Sequence, residues 1–475
     1  MQKIIFVSGL AAVLLLVLLS GGLHLGFPSW MKIEKTSDEG TKTVETPDAL
    51  PSRAELEGAL SLDLALTQGK ILKKSSGIVH LVAELSAKEV LREQQQRPPL
   101  NLALVIDRSG SMESRQKMQR AKEAAKGIVS RLSSRDRVAI IAYSTDAEVL
   151  LSSREPRDRE KIFHIIDEIE AVGATNLSEG LKKGKKEVLE HLSMDGINRV
   201  LLLSDGKANI GLKDPRKLGE FTADMARSGV SLSCLGLGHD FNEDLLVDMA
   251  DFGRGNFYFI EHASQILDIF KRELRGLLTA VAKNVELTVM PRENVRVLRV
   301  YGYRPESGKT SVTVPLTSIA SGQKRKIVFK LSVPSDETGP LELAQVTLDY
   351  ENLISQKKVS KRVALGAEIT ADPVLVEASQ SKKALARAEE VIAAESLEEA
   401  VSQVKARRDD EAARILEAQI DVTRARNRRY QDAHLNEQVR AMEGILDDIR
   451  AKRLDSSQRS IVVKQGKALS YNSMR

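Results

Sequence analysis

Short apolar segments alternate with amphipathic segments through the middle of the sequence, between Leu100 and Phe270. The apolar segments have the length of buried strands, and the segments between them carry apolar residues at helical spacing. Such alternation is typical of an α/β fold with a mostly parallel sheet, because a helix must connect each pair of parallel strands. We therefore predict an α/β domain over residues 99–281, with strands at residues 102–106, 137–143, 148–151, 199–203, 231–237 and 256–260.

Three loops with oxygen-bearing side chains fall at the same edge of this predicted sheet. The first strand ends in the segment DRSGS, which contains Asp107, Ser109 and Ser111. Thr175 lies in a second loop, GATNL, and Asp205 lies in a third loop directly after another strand. One loop alone could equally hold a helix N-cap. Because the carboxyl ends of parallel strands form one edge of a sheet, where doubly wound folds bind ligands, we expect the five side chains to lie together.

Two carboxylates and three hydroxyls, with no His or Cys among them, form a set of hard oxygen ligands. Such a set suits Mg²⁺, with Mn²⁺ or Ca²⁺ as alternatives, and excludes metals that prefer thiolate or imidazole. Five side chains, some reaching the ion through water, leave at least one coordination position open. A carboxylate from another protein can fill that position.

With these residues the segment resembles the von Willebrand factor type A (VWA) domain, a Rossmann-like α/β fold. The family motif is Asp-x-Ser-x-Ser with a distal Thr and a distal Asp, and all five positions match. The resemblance covers residues 98–270 and implies an intact metal-ion-dependent adhesion site (MIDAS). It implies that Ser109, Ser111 and Thr175 bind the metal directly or through water, while Asp107 and Asp205 act through water and hydrogen bonds. It further implies adhesion or complex assembly, in which the metal captures an acidic side chain of a protein partner.

We do not expect an enzyme, because the motif loops hold no convincing general base apart from the aspartates assigned to the metal. His164 and His191 fall in predicted helices and are expected at the surface or in packing. Cys234, the one cysteine, lies in an apolar strand and is expected to be structural. Glu179 and Asn209 lie near the loops and are candidates for contacts that support the metal ligands.

Alternating apolar and polar residues flank the α/β domain. Residues 61–98 are expected to supply the first strands of a β-sandwich and residues 282–370 the others, with the α/β domain inserted between them. The whole layout is similar to bacterial cell-envelope VWA proteins whose sandwich is related to the inter-alpha-trypsin-inhibitor heavy chains, and so is the segment VLRVYGYRP, residues 297–305. Residues 371–456 are predicted to form antiparallel helices, and residues 457–475 a loosely ordered tail.

An apolar run from Ile4 to Phe27 predicts an export segment within residues 1–30. Its length favours a retained membrane anchor over a cleaved signal peptide, and residues 31–60 are predicted to be a flexible tether. We therefore expect a single-pass protein of the cell membrane with its body outside the cytoplasm, or a secreted protein if the segment is cleaved.

The charge balance argues against nucleic acid as a partner. The 71 basic residues are nearly matched by 66 acidic residues, and no basic stripe is interleaved with aromatic residues. Two other functions stay open. One is a structural envelope scaffold that acts through its helical tail, and the other is an accessory subunit of a chelatase- or ATPase-type machine, although the sequence has no Walker-type phosphate loop.

Overall fold

The computed structural model of the chain describes residues 53–54, 59–90, 97–451 and 454–475. The strands are β1 (Arg53–Ala54), β2 (Leu60–Leu66), β3 (Lys70–Leu72), β4 (Ile78–Ala87), β5 (Leu100–Asp107), β6 (Arg137–Tyr143), β7 (Ala147–Arg154), β8 (Ile197–Ser204), β9 (Ser231–Leu237), β10 (Phe257–Ile260), β11 (Ala280–Pro291), β12 (Arg296–Tyr301), β13 (Glu306–Ser307), β14 (Val312–Leu316), β15 (Ile319–Ala320), β16 (Lys324–Ser332), β17 (Gly339–Asn352) and β18 (Lys357–Thr370). The α-helices are α1 (Lys117–Val129), α2 (Arg159–Asp167), α3 (Leu177–Leu189), α4 (Pro215–Arg227), α5 (Glu243–Phe252), α6 (Ile266–Leu278), α7 (Pro373–Ala378), α8 (Lys382–Lys405), α9 (Asp409–Tyr430), α10 (Ala433–Ala451) and α11 (Ser456–Ser473).

Strands β5 to β10 form the central sheet of an α/β domain, in the order β10-β9-β8-β5-β6-β7. Neighbouring strands are parallel except for β6 and β7. Helices α1, α2 and α6 pack on one face, and α3, α4 and α5 pack on the other. Because both faces are covered, β5 and β8 are buried along their whole length, which explains the apolar runs LALVI (residues 102–106) and VLLL (residues 200–203) within them. The predicted Rossmann-like α/β fold with a mostly parallel sheet is confirmed.

Two further sheets lie outside this domain. One has the order β1-β2-β4-β16-β12, and the other has the order β13-β14-β11-β17-β18-β3 with β15 paired to β11. Both sheets contribute to one hydrophobic core, which is the arrangement of a β-sandwich. Strand β4 pairs with β16, and β3 pairs with β18. The α/β domain therefore lies, in sequence, between strands that pair with each other.

A helical region follows the sandwich. Buried residues of α8, α9, α10 and α11 form a core of their own. Ala384 and Val391 of α8 also belong to a smaller cluster with Val82 and Val328, which lie on β4 and β16 of the first sandwich sheet. The helical region is thus attached to the outer face of that sheet.

Residues 457–475 are not a loosely ordered tail, and that prediction was wrong. They form most of α11, whose N-cap Asp455 accepts a hydrogen bond from the backbone N–H of Gln458 (2.8 Å). The helix carries few large apolar residues, so its sequence shows little periodicity. Tertiary contacts supply most of the stability of such a helix.

Polar contacts join α11 to the α/β domain. Lys464 donates to the backbone oxygen of Phe241 (2.9 Å) and to Glu243 (2.7 Å). At the far end of the helix, the Tyr471 hydroxyl accepts a hydrogen bond from the backbone N–H of Phe257 (3.1 Å). Helix α11 therefore packs against the α/β domain, which carries the polar loops.

None of the helices in the part of the chain described here is long and apolar enough to cross a membrane. This finding contradicts the predicted single-pass membrane localisation, which is not retained. The apolar run at residues 4–27 and most of the predicted tether lie outside the described residues. The end of that tether belongs to the sandwich instead, because β1 pairs with β2.

Candidate metal centre

The three polar loops are joined to one another by hydrogen bonds at the carboxyl edge of the central sheet. The backbone N–H of Gly110 in the first loop donates to the carbonyl of Gly173 in the second (3.0 Å). The N–H of Thr175 in the second loop donates to the side-chain oxygen of Asn209 in the third (2.8 Å), and the N–H of Asn209 donates back to Thr175 (3.1 Å). Asn209 thus has the supporting position expected from the sequence.

These contacts bring the predicted ligands together. The hydroxyl oxygens of Ser109 and Ser111 are 3.1 Å apart, and the Ser111 hydroxyl donates to Asp205 (2.7 Å). A Cβ atom placed on Gly206 would lie 3.5 Å from the Thr175 hydroxyl oxygen and 3.8 Å from that of Ser111. Both hydroxyls therefore border the space beside Gly206, which has no side chain to fill it.

Asp107 is fully buried beneath this cluster. One carboxylate oxygen accepts a hydrogen bond from the backbone N–H of Ser109 (2.9 Å), and the other accepts from Ser204 (3.1 Å) and Tyr143 (3.2 Å). Burial raises the pKa of Asp107 to about 6, against the opposing effect of the hydrogen bond with Ser109. These contacts hold the carboxylate in one orientation.

Asp205 forms a buried ion pair that the sequence analysis missed. The Lys117 ammonium group donates to the second carboxylate oxygen of Asp205 (2.6 Å), and the two side chains are 9% and 0% exposed. A single lysine on an amphipathic helix gives no sequence signal that separates it from the solvated lysines of the same helix. Only the proximity of the start of α1 to the end of β8 reveals the pair.

The position of Lys117 depends on a break that the sequence analysis also missed. A 3-10 segment, Gly110–Gln116, precedes α1, so the helix does not follow the DRSGS segment directly. Within that segment, Arg115 and Gln116 have left-handed backbone conformations with φ of 53° and 59°. Such conformations are unfavourable for residues with side chains. The two left-handed residues end the 3-10 segment, and α1 begins at Lys117.

The side chains of other residues singled out from the sequence have contacts or positions elsewhere. Glu179 is within 3.6 Å of Lys182 on the same helix, and His164 is an exposed neighbour of Glu168. His191 is exposed. Cys234 is buried in β9, where burial raises the pKa of its thiol, so the reactive thiolate is disfavoured.

The donor set of the cluster fits a hard divalent cation. Three hydroxyls and two carboxylates converge, with neither thiolate nor imidazole among them. Throughout the described ranges, no group of three or more His, Cys, Asp or Glu side chains could hold a metal ion. A metal here would therefore depend on the hydroxyls as well as the aspartates.

Comparison with known proteins identifies the α/β domain. The family model of the von Willebrand factor type A domain matches residues 101–272, so this part of the chain is a VWA domain. A solved structure, "von Willebrand factor type A from Catenulispora acidiphila", shares the fold over 88% of this chain and 98% of its own, with a TM-score of 0.67 and 17% identity. The likeness therefore extends to the sandwich and helices.

Two curated relatives match smaller parts of their own length. The uncharacterized protein YfbK of Escherichia coli (strain K12) is 33% identical over 210 residues, which are 44% of this chain and 36% of that protein. Inter-alpha-trypsin inhibitor heavy chain H4 of Homo sapiens is 29% identical over 276 residues, which are 54% of this chain and 27% of that protein. The chain thus spans well under half the length of either relative. VWA domains commonly mediate metal-dependent protein–protein interaction through sites that bind divalent metals.

Proposed function

We propose that Asp107, Ser109, Ser111, Thr175 and Asp205 hold a Mg²⁺ ion, and that this ion binds a carboxylate of a partner protein. The protein would then act in adhesion or complex assembly. The observation that carries the proposal is the convergence of the Ser109, Ser111 and Asp205 side chains with the Thr175 hydroxyl beside Gly206. A bound ion would supply a positive charge and an open coordination position for the partner.

The surface around the cluster supports a protein partner. Ser111 is exposed, so the cluster opens toward solvent. Val172 in the second loop is 55% exposed, and Ile210 in the third loop is 37% exposed. A partner that reached the cluster would also contact these two side chains, and the buried apolar area would add to the polar contact with the metal.

We propose that the site is not catalytic. Asp107 and Asp205 are both fully buried and accept hydrogen bonds from Ser204, Tyr143, Ser111 and Lys117, so neither carboxylate faces a solvent water from which it could take a proton. General-base catalysis requires a carboxylate or imidazole within hydrogen-bond reach of the reacting proton.

Isothermal titration of the full-length chain with Mg²⁺ tests the metal site. We expect one ion per chain, and we expect Ser111→Ala to weaken its binding by about tenfold, which corresponds to about 1.4 kcal/mol, because the variant lacks one oxygen of the ligand set. Ser130→Ala is the matched control, because the Ser130 hydroxyl donates only to the helix carbonyl of Gly127 (3.0 Å). Equal affinities of both variants and the wild type would exclude Ser111 as a ligand.

Mn²⁺ in place of Mg²⁺ tests the open coordination position. Water bound to Mn²⁺ speeds the relaxation of solvent protons, and a carboxylate that replaces the water reduces this effect. We expect acetate to reduce the enhancement in the wild type. An enhancement that acetate leaves unchanged would argue against carboxylate capture, and a partner complex insensitive to chelator would instead favour binding through the helical region.

A further inference from the structure

The buried pair between Lys117 and Asp205 has a consequence for the metal centre. We infer that Lys117 sets the balance between two affinities: its positive charge weakens metal binding and strengthens the attraction of the bound metal for a partner carboxylate. This inference rests on the proposed function. It concerns a residue outside the five proposed ligands.

The geometry places the ammonium group within the cluster. Asp205 is fully buried and divides its oxygens between two donors, Ser111 on one and Lys117 on the other. Gly238, directly after β9, borders the lysine side chain, since a Cβ atom there would lie 3.7 Å from both Cε and Nζ of Lys117. The ammonium group is therefore enclosed between β8 and β9 at the edge where the ligands converge.

The charges of the cluster give the direction of the effect. Asp107 and Asp205 carry two negative charges and Lys117 one positive charge, so the ligand set has a net charge of −1. The nearby Arg108 is paired with Glu148 (3.2 Å), and this pair adds no net charge. With a divalent metal the cluster reaches +1, whereas without Lys117 it would be neutral. An ion with residual positive charge attracts a carboxylate more strongly.

Lys117 also stabilises the protein when no metal is bound. A buried carboxylate without a counter-charge is strongly destabilising, and Lys117 provides that charge for Asp205. The ammonium group already neutralises part of the negative charge of the two aspartates, and it repels a metal ion. Its presence therefore lowers the affinity of the cluster for the metal. Removal of the ammonium group should make the protein more dependent on the metal.

Lys117→Met tests the inference, because methionine keeps a long side chain and removes the charge. In titrations of the full-length chain, we expect Mg²⁺ to bind the variant about tenfold more tightly, given that charges a few ångströms apart interact strongly even at a partly screened site. With Mn²⁺ bound, we expect acetate to bind the variant about tenfold more weakly. In EDTA the variant should have a lower Tm than the wild type, and Mg²⁺ should raise its Tm by more.

The variant is expected to bind Mg²⁺ more tightly and acetate more weakly. If Lys117 only supported the fold, its replacement would weaken both kinds of binding. Lys126→Met is the matched control, because Lys126 lies on the same helix and pairs with the exposed Asp167 (2.6 Å). Lys117→Arg keeps the charge and should bind Mg²⁺ and acetate with affinities close to those of the wild type. Lys117→Gln provides a second neutral variant and should reproduce the signature of Lys117→Met.

The outcomes are distinguishable. If the wild type binds no Mg²⁺, the proposed function fails and this inference fails with it. If the wild type binds Mg²⁺ and acetate but the neutral variants bind Mg²⁺ equally or more weakly, only the inference is overturned. Neutral variants that stay unfolded in Mg²⁺ also overturn it, since the metal should replace the missing charge.

Discussion

Asp136 is a buried carboxylate that the fold stabilises with several donors at once. It is fully buried and accepts hydrogen bonds from the Arg97 guanidinium, from the backbone N–H of Leu100 (2.8 Å) and from that of Ser133 (2.6 Å). Burial acts to raise the pKa of Asp136, but the hydrogen bonds with Arg97, Ser133 and Leu100 hold it below its ordinary value. The carboxylate thus fixes the start of β5, the strand that ends at the metal centre.

Replacement of Arg97 by methionine leaves this carboxylate buried without a counter-charge. We expect Arg97→Met to lower the free energy of unfolding by about 3–5 kcal/mol, measured by urea denaturation. Arg120→Met is the matched control, because Arg120 pairs with Glu123 at the surface (2.8 Å) and such pairs contribute less than about 1 kcal/mol. Similar losses in both variants would contradict a special role for the buried pair.

Helix α3 lies unusually close to the central sheet. A Cβ atom on Gly184 would lie 2.7 Å from a methyl carbon of Val105 in β5, and one on Gly180 would lie 2.9 Å from the ring of Tyr143 in β6. The two glycines are four residues apart and share one helix face. They allow the helix to pack against the strands that carry Asp107 and its partner Tyr143.

Two glycine-to-alanine changes should therefore have opposite effects. Alanine favours helix by about 1 kcal/mol, but overpacking costs about 1–3 kcal/mol, so we expect Gly184→Ala to lower the free energy of unfolding by about 1 kcal/mol. Apart from the neighbouring backbone of its own helix, Gly276 of α6 has nothing within 4 Å of its Cβ position, and Gly276→Ala should raise that free energy by about 0.5–1 kcal/mol. Chemical denaturation of both variants measures the signs. A stabilising Gly184→Ala would disprove the close contact.

Glu243 joins three parts of the chain. It lies at the start of α5 in the VWA domain and accepts hydrogen bonds from Lys405 of α8 (2.8 Å) and Lys464 of α11 (2.7 Å). Burial acts to raise its pKa, but the hydrogen bonds from Lys405 and Lys464 outweigh it and lower the pKa from 4.5 to about 2. The ionised carboxylate therefore stabilises the junction between the helical region and the VWA domain.

The stability of this junction should depend on pH. Because the pKa of Glu243 is lower in the folded chain, its contribution is fully present above pH 4.5 and is lost as the pH falls toward 2. We expect the difference in unfolding free energy between the wild type and Glu243→Gln to shrink over this window, as measured by denaturation at a series of pH values. Glu190→Gln is the control, because Glu190 is exposed and lies 3.7 Å from Lys186 of α3, away from the junction. A difference that stays constant with pH would exclude the ionised carboxylate as the cause.

Periodicity and strand-end chemistry predicted a large part of this structure. The alternation of strands and helices predicted the VWA domain because each buried strand and each amphipathic helix has a local pattern that does not depend on distant residues. Asp107 and Asp205 could be assigned to one site because both directly follow buried strands of a parallel sheet. That their cluster binds a metal stays a prediction.

Features that depend on contacts between residues far apart in the sequence could not be predicted from periodicity or strand ends. Helix α11 has little apolar periodicity, and it is fixed by contacts such as that of Lys464 with Glu243, 221 residues away in sequence. The break before α1 occurs at Arg115 and Gln116, two residues with no intrinsic preference for a left-handed backbone.

The amino-acid order of this protein thus specifies its central sheet and the five candidate ligands, because short-range patterns encode burial and strand ends. The pairing of Lys117 with Asp205, and hence the net charge of the candidate metal centre, arises only when β8, β9 and α1 pack together. The physical reason is that a charge acts through space over a few ångströms, whereas the two residues are 88 positions apart along the chain.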